Sequence, residues 1–174
     1  MTGDAGVKRI LIVTASRSCT DRSLFLGALA TYRVIRPGAC LYIGDGTGGD
    51  SLARHEWSRL CGYGDKVSRA TAAGWLRVFN ADWLGPCRPD CEPGHRLPRP
   101  GGGTYCPAAG PFRSPAICDD AAATGLPVGI IAVRKENAGN KGTRDCLKRA
   151  RSTLAPVIED FIDILEAWQL PGRG

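Results

Sequence analysis

Long apolar runs are missing from this 174-residue chain. None approaches the ~20 residues that an α-helix needs to cross a bilayer, so no membrane partner is expected. The first residues, Met1 to Gly6, lack the basic and apolar regions of a signal peptide, and a cytoplasmic protein is the expectation. Histidine is scarce, with only His55 and His95. No Ser–His–Asp order and no paired glutamates stand out, so nucleophilic or general acid–base catalysis gains no support of its own. His55, between Arg54 and Glu56, reads as a surface or helix-packing residue. Aromatics make up 7% of the residues and are sparse near the basic stretch, which weakens a base-stacking platform. Trp57, Trp75, Trp83 and Trp168 read as core packing. The most glycine-rich turn lacks the Gly-Lys-Ser/Thr ending of a P-loop and the spacing of a dinucleotide fingerprint. No internal repeat is present.

What is there reads as one domain over 1–174, large enough to bury a core. Hydrophobic content of 43% and charged content of 23% are ordinary for a globular protein. Continuous apolar, β-branched runs at 10–14, 39–43 and 128–133 read as strands buried on both faces, and 75–79 as a further strand. Helical patterns cover 22–35, capped by Asp21, then 51–60, 114–124 with Pro111 at its start, and 143–152. Ile158, Phe161, Ile162, Leu165 and Trp168 recur at helical spacing and predict a C-terminal amphipathic helix over 155–170. Strands alternating with helices point to an α/β fold, a mainly parallel sheet covered by helices on both faces.

In such sheets ligands gather beyond the C-terminal strand ends. Three turns fall there: Ser16-Arg17, the run Gly44-Asp45-Gly46-Thr47-Gly48-Gly49-Asp50, and Asn140-Lys141-Gly142-Thr143. A fourth element places Arg113 at a helix start. Backbone amides at helix N-termini, two hydroxyls and two guanidiniums make a cradle for an anion and a ribose.

The succession from Arg9 to Arg17 with Asp21, then Gly44 to Asp50, Ala81-Asp82-Trp83, Ala109 to Ser114, and Gly142 to Cys146 resembles the SLOG superfamily. The likeness covers roughly residues 8 to 152 and is nearest the small bacterial and phage proteins called YspA-like or YpsA-related. The resemblance implies a Rossmann-like three-layer α/β/α fold and binding of a nucleotide or nucleotide-derived small molecule. Relatives include the LOG phosphoribohydrolases that activate cytokinins, the DprA single-strand DNA-binding proteins and sensor domains of antiviral systems. Carried over to this chain, it gives Ser16, Arg17, Gly44, Gly46, Thr47, Gly48, Gly49, Asp50, Arg113, Gly142 and Thr143 as ligand-binding residues. Gly48 stands about where the superfamily's turn carries an arginine. The glutamate that assists glycosidic-bond cleavage is missing, with only Asp145 nearby, which argues against that activity.

A separate signal lies in 85–107, an irregular stretch rich in proline and glycine. Cys87 and Cys91, and Cys91 and His95, are each separated by three residues, and Cys106 follows a glycine turn. Three thiolates and one imidazole are a closed tetrahedral donor set, so this insert is expected to hold a structural zinc ion. The other cysteines, Cys19, Cys40, Cys61, Cys118 and Cys146, read as small buried hydrophobes or idle thiols.

Three functions remain open. The first is a binding module that senses, sequesters or carries a nucleotide-type molecule. The second is a hydrolase acting on an N-glycosidic or phosphoester bond at the same site. The third is a DprA-like DNA-binding accessory protein using Arg144, Lys148, Arg149 and Arg151, from a stretch that carries seven basic residues against Glu136 and Asp145. A homo-oligomer is a further expectation. The Ala, Gly, Arg and Pro bias hints at an actinobacterial or phage source.

Overall fold

The computed structural model describes residues 6–136 and 140–166. In chain order they form β1 (Arg9–Ala15), α1 (Arg22–Ile35), β2 (Ala39–Gly44), α2 (Gly49–Leu60), α3 (Val67–Ala72), β3 (Leu76–Phe79), β4 (Leu97–Pro98), β5 (Thr104–Tyr105), α4 (Ala109–Ala123), β6 (Val128–Lys135), α5 (Lys141–Leu154) and β7 (Ile158–Glu166). Five strands make one sheet in the order β3-β2-β1-β6-β7, and every neighbouring pair is parallel. Helices flank both faces, as in a Rossmann-like α/β fold.

The apolar runs are continuous because each central strand is covered twice. On β1, Leu11 and Val13 pack with Phe25, Leu29, Ala53 and Trp57 under α1 and α2. Ile10 and Ile12, on the opposite face, pack with Ile117, Ala121, Leu147 and Leu154 under α4 and α5. Asp21 begins α1 by accepting a hydrogen bond from the Ser23 amide at 2.9 Å, as its cap position predicts. The chain leaves β1 toward β2 on one side and later returns to β6 on the other. This reversal opens a crevice at the C-terminal ends of β1 and β6.

Of the helix expected over 155–170, the described part does not form: over Ile158–Glu166 the chain is a strand, β7. The apolar positions fit a helical stripe, but the β-branched isoleucines suit an edge strand equally well, and β6 offers an open edge to pair with. Three of its four acids then meet an arginine, and the fourth, Glu166, meets Lys135 at 3.4 Å. Glu159 pairs with Arg9 at 2.8 Å, Asp160 takes two hydrogen bonds from Arg36, and Asp163 pairs with Arg134 at 2.6 Å. Residues 167–170, including Trp168, lie outside the described residues.

Two smaller differences bear on the site. Helix α4 starts at Ala109, ahead of the expected 114, because Pro111 sits in the first turn, where no intrahelical donor is needed. Within 85–107 a two-stranded antiparallel pair, β4 with β5, gives the loop a short scaffold.

Candidate functional site

Three helix starts converge on the crevice. A cavity of about 280 Å³ is lined by Ser16 and Arg17 after β1, Gly44 and Gly46 after β2, and Asp50 in the first turn of α2. Gly110, Arg113 and Ser114 from α4, and Asn140 to Thr143 with Cys146 from α5, complete it. The structure thus brings Ser16, Arg17, Gly44, Gly46, Asp50, Arg113, Gly142 and Thr143 together. Thr47 lines a neighbouring cavity instead, and Gly48 and Gly49 lie behind the turn as the cap and first residue of α2.

Gly48 has φ 69°, and a Cβ there would fall on the carbonyl of Arg17. An arginine, like any other side chain, does not fit at this position unless that carbonyl moves. At Gly44 the space a Cβ would take is filled by the guanidinium of Arg113. That guanidinium is held by two carboxylates, Asp45 and Asp50, the second at 2.8 Å. Its charge is therefore largely compensated within the protein.

Asp50 is buried and also accepts from the Ala15 amide at 3.2 Å. Burial pushes its carboxyl up to about 6, against the pull of Arg113. Arg54, four residues along α2, donates to the carbonyls of Gly44 and Gly46 and ties the turn in place. Neither Arg54 nor Asp45 was singled out from the sequence; the helical spacing from Asp50 to Arg54 was the available signal.

Arg17 and Thr143 are placed differently. Arg17 is exposed and forms no ion pair among the described residues; its guanidinium lies 4.8 Å from the ring centroid of Trp83. Thr143, the third residue of α5, is 3% exposed, and its hydroxyl has no partner among the described residues. The first amides of α5 beside it have no acceptor within their own helix. Cys146, one turn further on, forms a buried thiol pair with Cys118. The Cys118 thiol holds Cys146 below the usual thiol range, while that bond and burial push Cys118 up. Cys146 is therefore part of the cavity lining as well as a core residue.

Comparison with protein-family models finds no match, and comparison with curated proteins finds none either.

The Cys/His group forms a second centre. The ligand atoms of Cys87, Cys91, His95 and Cys106 all lie within 4.8 Å of one another. His95 Nε2 is 3.4 Å from Cys87 Sγ and 3.1 Å from Cys106 Sγ, and the sulfurs of Cys91 and Cys106 are 4.0 Å apart. With bonds of about 2.0–2.3 Å, a tetrahedral ion sets its ligands about 3.5–3.8 Å apart, so the four donors fit one. The Nδ1 of His95 meets the Glu92 carbonyl, which leaves Nε2 as the coordinating nitrogen. Arg96 donates to Cys87 Sγ at 3.3 Å, to the Gly85 carbonyl and to both oxygens of Thr104, stapling the loop around the group. Cys106 stands just before α4; against its burial, bonds from the Ala108 amide, the Cys91 and Cys87 thiols and the Ala109 amide together bring its thiol below the ordinary range. The group could hold a metal ion.

Trp83 joins the two centres, and it is not a core residue. Its indole N–H donates to Asp45 at 2.8 Å, its carbonyl accepts from the Cys106 amide at 2.9 Å, and Arg17 and Arg113 both flank its ring. His55, by contrast, sits on the surface 3.8 Å from Asp65.

Proposed function

We propose that this chain is a SLOG-type protein that binds a nucleotide or nucleotide-derived small molecule in the crevice, in a sensing, sequestering or carrier role. The observation that carries the reading is the buried Thr143 hydroxyl, without a partner among the described residues, beside the open amides of the α5 N-terminus. Buried hydroxyls are normally bonded, so this one is set for a ligand oxygen. An anionic oxygen would also meet the positive end of α5 and the guanidinium of Arg17, which forms no ion pair among the described residues. Two carboxylates on Arg113 make the turn a rigid wall, so the phosphate belongs on the α5 side of the cavity.

The ion at Cys87, Cys91, His95 and Cys106 is zinc in this reading, because three soft thiolates with one imidazole and no open position suit a structural zinc site. Eight free cysteines accord with a reducing compartment. A DNA-binding role has weaker support. Of the basic side chains on α5, Arg149 pairs with Asp119 and Arg151 lies over Phe161.

Titration calorimetry of the protein against a panel of nucleoside phosphates and ribose 5-phosphate tests the reading. At least one phosphate ester should bind, with Thr143→Val and Arg17→Ala each weakening it about tenfold, the loss expected for a charge-assisted hydrogen bond. Binding unchanged in both variants would overturn the pocket. Only a small loss of affinity between low and moderate salt is expected, whereas a DNA-backbone binder would lose affinity steeply.

A further inference from the structure

A second cavity, of about 460 Å³, adjoins the first and shares Arg17 and Gly46 with it as walls. Its far side is made by Trp83, Leu84, Arg99, Pro100 and Tyr105, residues that precede or belong to the Cys/His loop. Packing alone does not account for this wall. Leu84 is 59% exposed, and Arg99 and Pro100 are exposed beside it.

The wall is nevertheless held in place from two directions. Trp83 and Tyr105 meet edge to face with ring centroids 6.3 Å apart. The indole N–H is fixed to Asp45 on the glycine turn, and the Trp83 carbonyl to the amide of Cys106 in the donor set. A third tie comes from Arg96, which bonds both the Leu84 carbonyl and the Thr104 carbonyl on either side of the slot. An aromatic corner, an aliphatic side chain and a guanidinium held around a slot of this size are what a flat ring needs: faces to lie against and few polar edges to satisfy.

We infer that this second cavity is the subsite for a heteroaromatic ring, the base of a nucleoside phosphate whose phosphate lies at the N-terminus of α5. The inference rests on the reading of the first cavity as the phosphate site. Arg17, common to both cavities, stands where the sugar would cross from one to the other. The Cys/His loop is then more than a structural staple, since it supplies one half of the binding site. The ring is recognised by stacking and shape, with Asp45 and Thr47 at its polar edge.

The test compares ribose 5-phosphate with the four common ribonucleoside 5′-monophosphates by calorimetry, on metal-loaded full-length protein. At least one nucleotide should bind about tenfold or more tighter than ribose 5-phosphate, the size of one base stack. Arg99→Ala and Tyr105→Ala should remove most of that advantage while leaving ribose 5-phosphate affinity and metal content unchanged. Tyr105→Phe, which keeps the ring, should retain it. Ribose 5-phosphate binding as tightly as every nucleotide would overturn the ring subsite alone, as would an advantage that survives in Arg99→Ala and Tyr105→Ala. Binding of none of the five would overturn the phosphate site and the ring subsite together.

Discussion

Asp50 shows how one side chain can be legible by position and illegible by state. Its place after the glycines marked it as a crevice residue, but nothing local announced that Arg113, sixty-three positions later, would close on it. Burial pushes its carboxyl up to about 6, so the folded protein retains a proton that the unfolded chain releases near 4. The stability this gives is fully present below about pH 4 and is lost as pH rises through about 6. Asp50→Asn cannot titrate. Its unfolding free energy in urea, compared with the parent, should therefore gain up to about 3 kcal/mol on the parent between pH 4 and pH 7. A difference that stays flat with pH would contradict the shift. Thr143 was the easier residue to read, since a hydroxyl at a helix start following a glycine turn has few other uses. Arg54 and Trp83 escaped because their partners are carbonyls and guanidiniums brought up by the fold, which no spacing rule encodes.

Among the elements, the Cys/His loop and β7 lie at opposite ends of legibility. Thiolates and an imidazole at short, fixed separations point to a shared donor set whatever the surrounding fold, and the four donors do meet. The segment 158–166 carries both a helical and an extended pattern, and the free edge of β6 decides between them. Metal analysis should find close to one zinc ion per chain, lost in the double variant Cys87→Ala, Cys91→Ala. Removing the ion with a chelator should raise hydrogen exchange across 85–107 and in the first turn of α4, which hangs from Cys106. Amides of β1 and β6 should stay protected, because their hydrogen bonds belong to the sheet. Equal exchange with and without the ion would mean that the loop orders itself.

For the whole molecule, alternation of strands and helices was enough to reach a parallel sheet with two covered faces, since every apolar run needed cover on both sides. The strand order was not readable from pattern alone, because which strand lies beside β1 depends on where the chain turns back. Leu11, fully buried on the central strand, packs with the α1 and α2 layer. Leu11→Ala should cost about 2–5 kcal/mol in urea unfolding, while Ile35→Ala, at a site 62% exposed, should stay within about 0.5 kcal/mol. Equal losses at the two positions would mean that the core lies elsewhere.

The position of β1 also governs how the chain can be made. Ile10 pairs with Cys40 on one side and with Val128 on the other. Both edges of β1 are therefore closed only once β6, far along the chain, has emerged. Until β6 emerges, β1 offers an open row of backbone donors and acceptors flanked by isoleucine and leucine, a surface on which nascent chains can pair with one another. A chain stopped before residue 128 leaves that edge open.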